Sequence, residues 1–135
     1  MKFLLHICLL FIATAVVAQP SKDGLLRIWN NSSLEDTARL KAVEQIVERV
    51  YQKTSPDSAF YYSTLQYEFA FEKNVPVYQG SALLSQGHAL RLLGKPTQAL
   101  LVLKESLKIF KQVGDKQGVG DVLHLFGAIY FDQKN

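Results

Sequence analysis

Residues 80–114 read GSALLSQGHALRLLGKPTQALLVLKESLKIFKQVG, and the organisation of the chain follows from this stretch. Leu83, Leu84 and Leu90 lie at helical spacing, and Gly94 stops the run. Pro96 restarts it, because a proline in a first helical turn lacks only an N–H that has no intrahelical partner there. Ala99, Leu100, Leu103, Leu107 and Phe110 then carry a second helix to Gly114. The link between the two helices is short, so they form an antiparallel hairpin. Gly87 sits in the middle of the first helix, where glycine costs about 1 kcal/mol relative to alanine. Such a residue needs a packing reason, and close approach of the neighbouring helix supplies one. Ala99 plays the same part from the second helix.

The pattern returns at a distance of 40 residues in both directions. Pro56 and Ala59 stand where Pro96 and Ala99 stand one unit later, and Gly120, Leu123 and Gly127 follow Gly80, Leu83 and Gly87. Identities are few, but they fall on helix starts, helix stops and core positions together. Ser32 and Glu35 form a potential capping box ahead of a helix through Leu40, Val43, Ile46, Val47 and Val50. A second helix runs from Pro56 to Lys73 and ends at Asn74, and a third spans 77–93. The fourth begins at Pro96. Asp115 caps a fifth over 116–132, whose apolar side carries Val119, Val122, Leu123, Phe126, Ile129 and Tyr130. Residues 19–34 read as an irregular linker or cap, and no stretch reads as a strand.

The segment from Gly80 to Gly114 resembles a tetratricopeptide repeat, with Leu83, Gly87, Leu90, Gly94, Ala99, Leu103 and Phe110 on its pattern. Residues 116–135 resemble the first helix of another copy. Residues 35–74 resemble a degenerate one, in which Val47 replaces the helical glycine. Gln66 and Ser106 depart from the family's usual second-helix alanine. The 40-residue unit is similar to the long variant in exported amino-terminal repeats of bacterial sensor kinases and regulators. The resemblance implies an all-α fold in which antiparallel hairpins (35–74, 77–114 and a partial 116–135) stack as a right-handed solenoid of two and a half repeats. It implies a protein or peptide ligand on the face lined by first helices. By register those positions are Lys41, Glu44, Glu48 and Tyr51, then Ser81, Leu84, His88 and Arg91, then Asp121, His124 and Phe131. The set is mixed in charge, unlike a basic clamp for a carboxylate tail. The packing positions are Ala59, Gly87, Ala99 and Gly127.

Residues 1–18 read as a signal peptide: Lys2, an apolar run broken by His6 and Thr14, and Val16-Val17-Ala18 before Gln19. Export to a bacterial periplasm or envelope is the expected destination. Cys8 lies inside that leader, so the remainder carries no thiol for a disulfide, a metal or a nucleophile. The net charge of +3 is too small, and the charges too interspersed, to indicate nucleic acid. His88 and His124 are 36 residues apart without an i, i+4 partner, so they read as surface or groove histidines and not as a metal pair. Glu44 and Glu48 share a helical face beside Lys41 and read as a solvated pair. The glycine-rich run 114–120 follows a helix and lacks a Lys-Ser/Thr pair, which excludes a P-loop. The expectation is a binding scaffold, not an enzyme, without a cofactor. The alternative is the sensory segment of a membrane histidine kinase or transcriptional regulator. The apolar side of the last helix further suggests a fragment of a longer protein, or self-association through residues 119–131.

Overall fold

The computed structural model describes residues 18–135, so the leader assigned above lies, apart from Ala18, outside the described residues. Among the described residues the chain is helical throughout, with no strand. The helices are α1 (Lys22–Asn30), α2 (Asp36–Gln45), α3 (Pro56–Glu72), α4 (Pro76–Leu92), α5 (Pro96–Val113) and α6 (Lys116–Lys134). A π-helical segment, Ile46–Tyr51, continues α2.

From α2 onward every helix starts 20 residues after the last. Proline at the first position opens α3, α4 and α5, and the Asp115 carboxylate caps α6 by accepting from the Gly118 N–H at 3.0 Å. Helix ends repeat as faithfully. Asn74, Gly94 and Gly114 all adopt the left-handed conformation, with φ of 54°, 70° and 73°. After each, the next N–H reaches back to the same carbonyl of the last turn: Val75 to Ala70, Lys95 to Leu90 and Asp115 to Phe110, each at 2.9 Å. Sequence neighbours pack on each other, and the alternate pairs α2–α4 and α4–α6 also touch, so these three helices lie side by side.

The interior explains the glycines. A Cβ on Gly87 would stand 2.5 Å from the Leu103 side chain, and one on Gly80 would stand 3.0 Å from the Phe110 ring. Each absent side chain makes room for a large residue of α5. One unit earlier the assignment is reversed. Val47 and Ser63 occupy the places of Gly87 and Leu103, and Leu40 and Ala70 those of Gly80 and Phe110; all four are fully buried. Large and small have changed helices while the pair's volume is kept, which a close-packed interior tolerates best. Ala59 packs with Val47 and Ala89, and Ala99 with Leu90 and Leu103.

Four features differ from the sequence reading. The stretch 19–34 is not irregular: it holds α1, capped by the Ser21 hydroxyl, which accepts from the Gly24 N–H at 3.2 Å. Leu25 and Trp29 dock this helix on α2 and α3. The Trp29 ring meets Phe69 edge-on at 5.3 Å, and the Arg39 guanidinium lies over both rings. The capping box does not form, because the N-cap of α2 is Glu35 instead of Ser32, three residues later, and no side chain caps it. Ser32 is bypassed by an Asx turn in which Asn31 accepts from the Ser33 N–H. The π segment widens the first helix where Val47 stands in place of glycine, with the Gln52 N–H bonded to the Val47 carbonyl at 2.8 Å. Gly127, finally, has nothing within 4 Å of an added Cβ, so the close approach expected at this position is not made among the described residues.

Candidate functional site: a groove across alternate helices

Two adjoining hollows of ≈ 250 and ≈ 360 Å³ lie across α2, its π extension, α4 and α6, and both are bordered by Glu48, Leu84 and Asp121. The smaller adds His88, Arg91 and His124, and the larger adds Glu44 and Ser81. Side-by-side helices bring these residues together at spacings of three or four along each helix, the interval at which side chains share a face. Three positions selected by register lie elsewhere. Tyr51 stacks on Tyr62 at 5.3 Å and sits under Lys22, serving the docking of α1. Lys41 is exposed outside both hollows, and so is Phe131. Tyr78, Gln52, Ser85, Asp115 and Gln117 line the groove without having been selected. Tyr78 had a usable signal, since it lies three residues before Ser81 on the same helix face.

The groove is electrically graded along its length. At one end Glu44 is half-buried and accepts a hydrogen bond from the Ser81 hydroxyl. Burial raises its pKa above the ordinary carboxylate value, against the lowering effect of Ser81, Gln66 and Lys41. The exposed Glu48 is also raised, first by partial desolvation and then by the negative charges of Glu44 and Asp121. Tyr78 is raised by burial and by Glu44. At the other end burial lowers the pKa of His88, reinforced by Arg91 and Lys53, which favours the neutral imidazole. Arg91 is held by Asp132, whose Oδ2 lies 2.6 Å from its Nε, a bond that ties α4 to α6. Asp132 is lowered by this partner.

The repeat departures Gln66 and Ser106 occupy matching positions of α3 and α5, with different outcomes. Ser106 is fully buried and donates to the Gly80 carbonyl at 2.7 Å. Gln66 is fully buried too; among the described residues its amide makes no hydrogen bond of ordinary length, yet it lies near enough to the Glu44 carboxylate to lower that group's pKa by hydrogen bonding. The longer side chain faces the Glu44 carboxylate from beneath the groove. The buried Nδ1 of His88 likewise has no partner among the described residues. Among the described residues no three His, Cys, Asp or Glu converge in a metal-holding arrangement, and no helix is long and apolar enough to cross a membrane. Compared with known proteins, the chain matches no family model, no curated relative and no solved structure.

Proposed function

We propose that the chain is an exported binding scaffold built of stacked helical hairpins in the manner of tetratricopeptide repeats. Its ligand is an extended peptide or segment of another protein, laid in the groove across α2, α4 and α6. The observation that carries this reading is the groove itself. Alternate helices of a 20-residue half-unit stand side by side and gather Glu44, Glu48, Ser81, Leu84, His88, Asp121 and His124 onto one surface. The leader-like residues 1–18 support export. Selection of random peptides displayed on phage against the full chain tests the reading. Selected peptides are expected to lose binding to the Leu84→Arg and Asp121→Arg variants and to keep it for Leu101→Arg on the outer surface. Equal binding to all of these chains would remove the groove as the binding site.

A second reading, self-association, is favoured by the outer side of α6. Its Gly120 and Gly127 stand at the register of Gly80 and Gly87, which α5 fills, yet both are open. Leu123, Tyr130 and Phe131 beside them are 54%, 52% and 68% exposed. A helix of a second copy, with large side chains spaced like Leu103 and Phe110, fits that surface.

A further inference from the structure

The outer side of α6 carries a seven-residue repeat. Lys116, Gly120, Leu123, Gly127, Tyr130 and Lys134 follow one another at alternating steps of four and three, so they lie in one line along the helix. All six are exposed, on the side away from the buried Val122, Leu125 and Ile129. Along this line the two glycines are seven residues apart, and so are Leu123 and Tyr130. The same spacing is already paired between α4 and α5. There Gly80 stands against Phe110 and Gly87 against Leu103, glycine facing bulk in antiparallel order. In that pair one helix supplies the glycines and the other the bulk. α6 supplies both from one line, which makes it complementary to a second α6 running the opposite way. A single register, centred at Leu125, seats Tyr130 on Gly120 of the second copy and Leu123 on its Gly127. Each contact then occurs twice, as a twofold axis requires. The positions flanking the line (Gln117, Val119, His124, Phe126, Phe131 and Gln133) include no carboxylate, lysine or arginine, so the pairing buries no such charge.

We propose that α6 pairs with α6 of a second copy as an antiparallel, twofold-symmetric seam of glycine against bulk. The inference rests on the self-association reading above and names the partner helix, its direction and its register. Half to two-thirds of Leu123, Tyr130 and Phe131 amounts to roughly 300 Å² per copy. With the glycine backbone, the lysine stems and the flanks, two copies together bury roughly 1,000 Å², where specific but reversible pairing begins. At each end of the seam Lys116 faces Lys134 of the other copy, and this repulsion holds the affinity down.

Sedimentation equilibrium of the full chain and two variants tests this. In the separate chain Gly127→Leu meets nothing within 4 Å among the described residues and favours the helix, so the folded monomer is kept, which circular dichroism checks. The same change fills the hollow that Leu123 of the second copy needs, and is expected to weaken the dimer about tenfold or more. A merely sticky face would instead gain from the added apolar surface. Tighter association of this variant therefore overturns the seam and leaves self-association standing. Lys134→Glu turns both end pairs from repulsion to attraction in antiparallel order, and is expected to tighten the dimer about threefold. In parallel order it would only exchange one like-charge pair for another, so unchanged or weaker association overturns the direction. Spin labels on Gln117→Cys in a Cys8→Ser background read the register apart from any affinity. Two such labels are expected about 24 Å apart along the seam, and side-by-side labels overturn the antiparallel register. A monomer at every concentration, with α6 bare or covered by another part of the chain, overturns the seam and self-association together.

Discussion

Gly87 and Gly127 are the same letter at the same register in environments of opposite sign. At Gly87 an added methyl would press within 2.6 Å of the Leu103 Cγ, which is not the free end of its side chain. Gly87→Ala should therefore destabilise by about 1–2 kcal/mol, overpacking outweighing the gain in helix propensity. At Gly127 there is no neighbour, and Gly127→Ala should stabilise by up to about 1 kcal/mol. Urea midpoints of the two variants decide both; equal effects would contradict the packing described. Glu48 carries a dependence on pH. Its pKa is raised in the folded chain, so its contribution is fully present below the ordinary value of 4.5 and is lost as pH rises through the raised one. At neutral pH the ionised Glu48 thus opposes folding. Glu48→Gln should stabilise by roughly 0.3–0.5 kcal/mol at pH 7, the size of a like-charge pair one helical turn apart at an exposed site, and by nothing at pH 4. A constant difference across that range would mean that charge is not the cause.

Legibility at the scale of elements depended on punctuation. From Pro56 onward the helices could be placed within a residue or two, because proline, Asn74, Gly94 and Gly114 mark their ends in the sequence itself. α1 was missed because Gly24 and Asn30 read as breakers in a segment of only nine residues, although Ser21, Asp23, Leu25 and Trp29 are a cap, a first-turn acid and two contacts one turn apart. The π segment was invisible because an α-helical and a π-helical period do not separate over six residues. In the groove, register selected fewer than half of the lining residues. It could not reveal that Glu44 is half-buried or that Gln66 faces it, since both depend on how closely three helices approach. The docking of α1 leads to a direct test. Trp29→Ala removes the edge contact with Phe69 and the cover over Arg39, and should cost about 2 kcal/mol, less than a fully buried tryptophan. Amide exchange should quicken in α1 more than in α5. Uniform acceleration along the chain would show instead that α1 belongs to one cooperative unit with the rest.

For the whole molecule, the exposed side of α6 leads to a test of the state in solution. Burying Leu123, Tyr130 and Phe131 would contribute several kcal/mol, at about 1.5–3 kcal/mol for each large apolar side chain fully covered. Sedimentation of the full chain should show dimers or larger species, reduced to monomer by Leu123→Glu with Phe131→Glu; a monodisperse monomer of the unaltered chain would exclude this association. One ring gives the molecule a further property. Phe110 lies against Gly80 of α4 and Gly118 of α6, where added Cβ atoms would stand 3.0 and 2.5 Å from it, and it also borders the larger hollow. It works as a spacer gauge. The calibre of the groove is set from behind by the thickness of an aromatic side chain on α5. A related chain could therefore be retuned to a wider or narrower ligand by one change at this ring, with every polar contact in the groove left untouched.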